Sequence, residues 1–261
     1  MKTYETIILE RLDRSATLTL KRPQAMNAMD TTMITELAHC FEQLKKETTI
    51  QVLLIKGEGK VFSAGGDIKA MLDDTNVFDI DEMMVHLKTM VEAYYTLPMI
   101  TVAAVHGAAA GLGFSLALGA DIIFADEASK LAMNFIGIGL VPDGGGHFFM
   151  TERLGSMKAK QMIWQGEVMN AEKAQALGLI DYVAPTGDVF AMADQMIGQL
   201  LASPILAMIE TKKIIHAQKL PMLQNILTRE AAAQSRMRKT ADHLEGIEAF
   251  VAKRQPKFEG K

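Results

Sequence analysis

Two segments of the chain show the same order of local signals: a short apolar run, a glycine-rich turn and a helical pattern. The first combines residues 52–55 with Gly65-Gly66, and the second combines Ile100–Val105 with a turn over residues 106–113. Strands that alternate with helices favour an α/β fold with parallel pairing. Glycine lets the main chain adopt positive φ and approach a ligand closely, so both turns are candidate binding sites built from backbone N–H groups.

Other segments extend this pattern in both directions. Residues 4–9 and 15–20 predict an opening hairpin, and Asp30 is expected to cap a helix that runs to about Lys46. We also expect a helix over residues 81–97, a strand over 121–125 and an extended segment at 131–133. After Gly144 the strand signal fades, and the sequence predicts only helices, over residues 145–154, 156–164, 171–177, 189–201, 204–216, 221–239 and 243–253.

Composition places the chain among large globular proteins. Of its 261 residues, 49% are hydrophobic and 22% are charged, which suits one domain or a core with an appendage. The single cysteine, Cys40, excludes an intramolecular disulfide, and the first residues lack the apolar core of a signal peptide, so a cytoplasmic location is expected. The uncharged stretch over residues 98–120 predicts a buried strand, a turn and a buried helix. It lacks the flanking basic and aromatic residues that are typical of a membrane-spanning helix.

Charge is distributed unevenly along the chain. The segment from Glu210 to Lys261 has 11 Lys/Arg against 6 Asp/Glu, whereas the rest has 16 against 25. Solvated helix faces or a contribution to binding a phosphorylated ligand would each account for the basic tail. The acidic body and the 6% aromatic content disfavour a nucleic-acid partner.

The two glycine turns have more than one interpretation. Gly65-Gly66 followed by Asp67 would serve as a capped helix entry, or as one half of an oxyanion site completed by the second turn. The second turn partly matches a dinucleotide-binding pattern, but no tyrosine is followed by lysine four residues later. Walker A, His-x-x-x-His and Cys-x-x-Cys patterns are absent from the sequence, so neither nucleotide nor metal is expected.

Asp143 is the third candidate. It lies in the run Pro142-Asp143-Gly144-Gly145-Gly146, which suits a turn with Asp143 as a helix cap. It is also the only carboxylate between Leu131 and Met150. A carboxylate among apolar and glycine residues can be poised for proton transfer, so Asp143 is also a candidate acid–base residue.

Taken together, these segments resemble the crotonase (enoyl-CoA hydratase/isomerase) superfamily. The resemblance covers nearly the whole chain and is carried by residues 22–28, 62–71, 103–113, 140–146 and 249–254. It implies a crotonase-like spiral of ββα units over residues 1–197. It also implies a C-terminal helical region over residues 198–261 that builds a homotrimer or a dimer of trimers and helps to cover coenzyme A.

The same resemblance implies an acyl-CoA thioester substrate and no cofactor beyond its coenzyme A moiety. The thioester oxygen would lie between the amides of Gly66 and Leu112. The backbone carbonyls of Ala28, Ala64 and Ile68 would contact the adenine. Lys253 would offer a cation to the phosphates of coenzyme A.

The chain departs from the hydratases of this superfamily at their two catalytic glutamates. Those positions hold Ser115 and Phe135, neither of which exchanges a proton near pH 7. Asp143 stands where such hydratases often have glycine and where some isomerases of the family carry aspartate. The pattern therefore predicts an enoyl-CoA isomerase, similar to ring-opening isomerases of phenylacetate breakdown or to Δ3,Δ2-enoyl-CoA isomerases. An enoyl-CoA hydratase and a catalytically silent CoA-thioester binder are the alternatives.

Overall fold

The strands form two sheets in the computed structural model, which describes residues 3–68 and 80–261. The strands are β1 (Ile7–Leu12), β2 (Ser15–Leu20), β3 (Val52–Gly57), β4 (Ile100–Val105), β5 (Ala108–Ala110), β6 (Ile122–Asp126), β7 (Lys130–Ala132), β8 (Val168–Asn170) and β9 (Tyr182–Ala184). The larger sheet has the order β1-β2-β3-β4-β6-β9 and the smaller has the order β5-β7-β8. β1 and β2 form the predicted antiparallel hairpin, and every other pairing in the larger sheet is parallel.

Helices cover both faces of the larger sheet. They are α1 (Thr31–Leu44), α2 (Ile80–Tyr95), α3 (Leu112–Leu118), α4 (Gly146–Leu154), α5 (Ser156–Gln165), α6 (Ala171–Ala176), α7 (Val189–Ala202), α8 (Ile205–Met237) and α9 (Ala241–Val251), with short 3-10 helices at Pro23–Ala25 and Phe135–Ile138. In β3, Leu53 and Ile55 face the main core while Leu54 faces a second cluster that includes α7. Burial on both faces explains why β3 and β4 read as continuous apolar runs.

The structure confirms the predicted α/β class, the opening hairpin and the cap of α1. The Asp30 carboxylate accepts a hydrogen bond from the Met33 amide at 2.8 Å. This bond satisfies one of the free N–H groups at the start of the helix.

Three predicted features of the chain are wrong in detail. The second glycine turn contains β5 before α3 begins, and β8 and β9 lie in the region that was expected to be helical only. Each of these strands has three residues, too few to show a period, and each forms by pairing with an existing strand.

The third difference concerns α8, which replaces two predicted helices and continues through Pro221. A proline inside a helix removes one hydrogen bond and costs about 3 kcal/mol. Buried residues on both sides of Pro221, including Ile209 and Leu223, hold the helix against the core. Burial of this long face offsets the local cost.

Among the described residues, no single helix is long and apolar enough to cross a membrane. The pair α7 and α8 meets that criterion only in combination, with a bend of 100° between them.

Candidate active site

The two glycine-rich turns lie side by side because β3 and β4 are parallel neighbours and each turn follows one of them. The Ser63 amide donates to the Ala108 carbonyl at 3.0 Å, and the Ala110 amide donates to the Ser63 carbonyl at 3.1 Å. The two turns therefore form one rigid unit. Of the helix predicted after the first turn, Ile68 alone is described, since residues 69–79 lie outside the described part of the chain.

Glycine is required where these turns touch. Gly65 has φ of +98°, and a Cβ built on it would lie 2.6 Å from the Ala110 carbonyl oxygen and 3.5 Å from the Leu112 nitrogen. A Cβ on Gly113 would lie 2.7 Å from atoms of Ser63. Side chains at these positions would push the turns apart, so the glycines keep the backbone of both turns close together.

The amides of Gly66 and Leu112 belong to residues that line the same cavity. Neither amide donates a hydrogen bond to another group in residues 3–68 or 80–261. Two backbone N–H groups at one cavity wall can stabilise negative charge on a carbonyl oxygen that is placed between them.

The first turn is held in place from the N-terminal side by Arg22. Its guanidinium pairs with Asp67 at 3.0 Å and with Asp30 at 3.1 Å, and it also donates to the Ala28 carbonyl. The Met29 amide adds a bond of 2.7 Å to the Gly65 carbonyl. The position of the Gly66 amide thus depends on the segment that precedes α1.

Asp143 lines the same cavity, in the loop between Phe135–Ile138 and α4. Its side chain is buried, and its Oδ2 atom accepts a hydrogen bond from the Gln234 side-chain amide at 3.1 Å. Its main-chain oxygen accepts from the Ser115 hydroxyl at 2.8 Å. Contacts from α3 and α8 therefore fix both the backbone and the side chain of this residue.

Burial, together with the nearby carboxylate of Glu230, raises the pKa of Asp143 to about 8, while Arg238 opposes the shift. Loss of hydration disfavours the charged form, and a second negative charge acts in the same direction. A carboxyl group with such a pKa exchanges protons readily near neutral pH.

The expectation that Asp143 caps a helix is wrong. The N-cap residue of α4 is Gly145, which directly precedes the helix. The amides of Gly145 and His147 donate to the Glu230 carboxylate at 2.9 and 3.1 Å. Because Glu230 supplies this cap from α8, the Asp143 side chain is left for the cavity.

The cavity has a volume of about 310 Å³ and is largely apolar. It is lined by Ala64, Gly65, Gly66, Ile68, Ala108, Ala110, Gly111, Leu112, Asn134, Phe135, Gly137, Ile138, Leu140, Asp143 and Phe250. Among these described residues, Asp143 is the only one with a titratable side chain. The described residues include no group of three or more His, Cys, Asp or Glu side chains that could hold a metal ion.

A sequence model of the family described as "Enoyl-CoA hydratase/isomerase" matches residues 13–261. The chain belongs to this family. YhaR of Bacillus subtilis (strain 168), which carries the family name, is 46% identical over 244 residues that cover 94% of this chain and 95% of that protein. The 1,2-epoxyphenylacetyl-CoA isomerase of Escherichia coli (strain K12) is 34% identical over 97% of this chain and 98% of its own length.

Solved structures agree with the family assignment. The crystal structure of an enoyl-CoA hydratase from Mycobacterium avium subsp. paratuberculosis K-10 has a TM-score of 0.89 and 33% identity, over 98% of this chain and 100% of that chain. The predicted crotonase fold is thereby confirmed.

The structure brings most of the predicted site residues of this family member together. Gly66, Leu112, Asp143, Ala64, Ile68 and Phe135 all line the cavity. Ser115 is fully buried behind the Asp143 loop. Ala28 and Lys253 are not among the lining residues: the Ala28 carbonyl is bonded to Arg22, and Lys253 is exposed just beyond α9.

Sequence reasoning missed the contribution of α8 to the site. Glu230 and Gln234 are buried and contact the Asp143 loop. They continue the helical face that carries Leu223 and Leu227, at positions where the period calls for apolar residues. Polar residues on a buried face were the available signal.

Proposed function

We propose that this protein is an enoyl-CoA isomerase that shifts a double bond with a single carboxylate. The observation that carries the proposal is the lining of the cavity. Asp143 is the one titratable side chain among its described lining residues, and the amides of Gly66 and Leu112, which line it too, donate to no other described group. One carboxylate suffices for a 1,3-proton shift, because the group that removes the proton can also return it.

In the proposed reaction, the thioester oxygen of a 3-enoyl-CoA accepts hydrogen bonds from the amides of Gly66 and Leu112. Ionised Asp143 removes a proton from C2, and the C2 electron pair delocalises to give a dienolate with its charge on the thioester oxygen. Asp143 then delivers the proton to C4, which yields the 2-enoyl-CoA at unchanged mass. Each amide donor would lower the barrier by a few kcal/mol, since it binds the charged intermediate more tightly than the neutral thioester.

Recognition of coenzyme A is the second part of the proposal. Ala64 and Ile68 line the cavity, and their backbone carbonyls would accept from the adenine amino group. The Ala28 carbonyl already accepts a hydrogen bond from Arg22, so it would accept the adenine amino group as a second donor. Lys253, exposed beyond α9, would pair with a phosphate of coenzyme A. The name of the Escherichia coli relative, an isomerase of a CoA thioester, supports this substrate class.

A hydratase is the second candidate, favoured by the enoyl-CoA hydratase among the similar solved structures. Hydration needs one group to deprotonate water and a proton donor for C2. Ser115 already donates its hydroxyl to the Asp143 backbone, and Phe135 presents an apolar ring to the cavity. With these two residues in place of acids, Asp143 would have to carry both roles. A binder without turnover is the third alternative.

The test uses purified protein with two substrates, 3-hexenoyl-CoA and crotonyl-CoA, followed by absorbance and mass spectrometry. The isomerase proposal expects a conjugated product of unchanged mass from 3-hexenoyl-CoA. A gain of one water from crotonyl-CoA as the main activity would support the hydratase instead. Binding of both compounds without turnover would leave only the silent binder.

We further propose that the chain assembles as a homotrimer or as a dimer of trimers. One side of α8 exposes large apolar side chains at seven-residue spacing, namely Met208, Ile215 and Met222. An exposed apolar helix face is typical of a surface that another subunit covers. Light scattering should give three or six times the chain mass of 28.6 kDa, and a monomeric mass would contradict this proposal.

A further inference from the structure

One face of α8 lies directly behind the Asp143 loop. Glu230, Gln234 and Arg238 are spaced four residues apart, which places them on the same side of the helix. Gln234 has no exposed surface at all. Its Oε1 atom is buried without a hydrogen-bond partner among the described residues, so the amide is held through its nitrogen.

The Gln234 side-chain nitrogen makes two hydrogen bonds to this loop. It donates to the Val141 main-chain oxygen at 2.7 Å and to Asp143 Oδ2 at 3.1 Å. An amide nitrogen has two hydrogens, so these two bonds use its full donor capacity. Gln234 thereby ties the carboxyl group of Asp143 to the backbone two residues earlier.

These contacts leave the two carboxyl oxygens of Asp143 in different states. Oδ2 is held by Gln234, whereas Oδ1 is buried and has no hydrogen-bond partner among the described residues. The main-chain oxygen of Asp143 is fixed separately by Ser115 and by the Gly146 amide. With the backbone fixed, the bond from Gln234 to Oδ2 decides how the carboxyl group is rotated.

We propose that Gln234 is a positioning residue that orients the Asp143 carboxyl group for proton transfer. This inference rests on the proposed isomerase function, since it assigns the proton transfer to Asp143. Gln234 acts through Asp143 and does not itself line the described cavity wall.

Gln234 also affects the ionisation of Asp143. Its N–H group stabilises the ionised carboxylate, so its removal should raise the pKa of Asp143 further. The other charges that face Asp143 are Glu230 on α8 and Arg238 directly after this helix, and His147 of α4 is bonded to Glu230 at 2.8 Å. The Gln234 variants retain Glu230, Arg238 and His147, so a change in the pKa of Asp143 would be due to the replacement of Gln234.

The experiment compares Gln234→Leu and Gln234→Glu with Gln218→Leu, a control that changes an exposed glutamine on the same helix. Steady-state kinetics with 3-hexenoyl-CoA are measured from about pH 6 to about pH 10. In parallel, carbon-13 NMR follows the Asp143 carboxyl signal in labelled protein, assigned by its loss in Asp143→Asn. Gln234→Glu keeps the side-chain length and decides the question if Gln234→Leu does not fold.

For the folded Gln234 variants we expect kcat to fall at least about tenfold with KM within about threefold, because the amides that hold the thioester are untouched. We expect the pKa of Asp143 to rise by about one unit, and the pH profile to move with it. The control should match the wild type. An unchanged pH profile with unchanged kcat would overturn the positioning role. If the wild type does not isomerise the substrate, the proposed function fails, while the NMR titration still shows whether Gln234 controls the Asp143 carboxyl group.

Discussion

Replacement of Asp143 by asparagine should stabilise the folded protein, and the gain should grow with pH. Burial and Glu230 raise the pKa of Asp143 from 3.8 to about 8, so at pH 7 the folded protein retains a proton that the unfolded chain has lost. The roughly 3 pH units between the unfolded pKa and pH 7, at about 1.4 kcal/mol each, set an upper limit on the order of 4 kcal/mol. Asparagine is neutral at every pH and avoids this cost.

The direction with pH follows from the raised folded-state pKa. The wild type has its full stability below about pH 4 and loses stability as pH rises from about 4 to about 8. The difference in free energy of unfolding between Asp143→Asn and wild type should therefore be near zero below about pH 4 and reach its maximum above about pH 8. Asparagine also retains the acceptor that Gln234 requires, so no other contact need be lost.

Urea unfolding at several pH values and one fixed protein concentration measures this difference. Asp194→Asn is the matched control, because Asp194 is exposed on α7. For Asp194→Asn we expect the free energy of unfolding to differ from that of wild type by an amount that changes little with pH. A constant difference for Asp143→Asn across the range, or a variant that is less stable than wild type near pH 8, would refute the reasoning.

Three further substitutions probe the rest of the site. Gly65→Ala forces a Cβ to within 2.6 Å of the Ala110 oxygen at positive φ, so it should cost about 1–3 kcal/mol and at least tenfold in kcat/KM, as measured by unfolding and kinetics. Arg22→Met removes the partner of Asp67 and Asp30 and should lower the free energy of unfolding by about 1–2 kcal/mol. A variant as stable as wild type would show that these two ion pairs do not stabilise the first turn. Ser115→Ala removes the hydroxyl bonded to the Asp143 backbone and should cost about 1 kcal/mol and lower kcat with little change in KM, whereas unchanged kcat would remove Ser115 from the site.

Much of the fold could be predicted from sequence because its signals are local. β4 is six consecutive buried residues, and the cap of α1 is one side chain next to its helix. The short strands β8 and β9 carry no such signal, since they form only when β7 and β6 offer an edge. Continuation of α8 through Pro221 likewise depends on tertiary packing on both sides of the proline.

The same distinction applies to the site. The glycine turns were predictable, because glycine marks close backbone approach and the strand order places both turns at one edge. The role of Asp143 as a cavity residue was one of two predicted alternatives. The support from Glu230 and Gln234 joins residues more than 80 positions apart in the chain, and no local pattern specifies such a pairing.

The central claim is that Asp143 moves the proton, and turnover of 3-hexenoyl-CoA by the wild type and by Asp143→Asn tests it most directly. Asparagine preserves size and removes the proton carrier, so we expect isomerisation to fall by at least about a thousandfold while binding of the 2-enoyl product stays within about tenfold. Turnover of the variant at the wild-type rate would contradict the claim, because another group would then have to carry the proton.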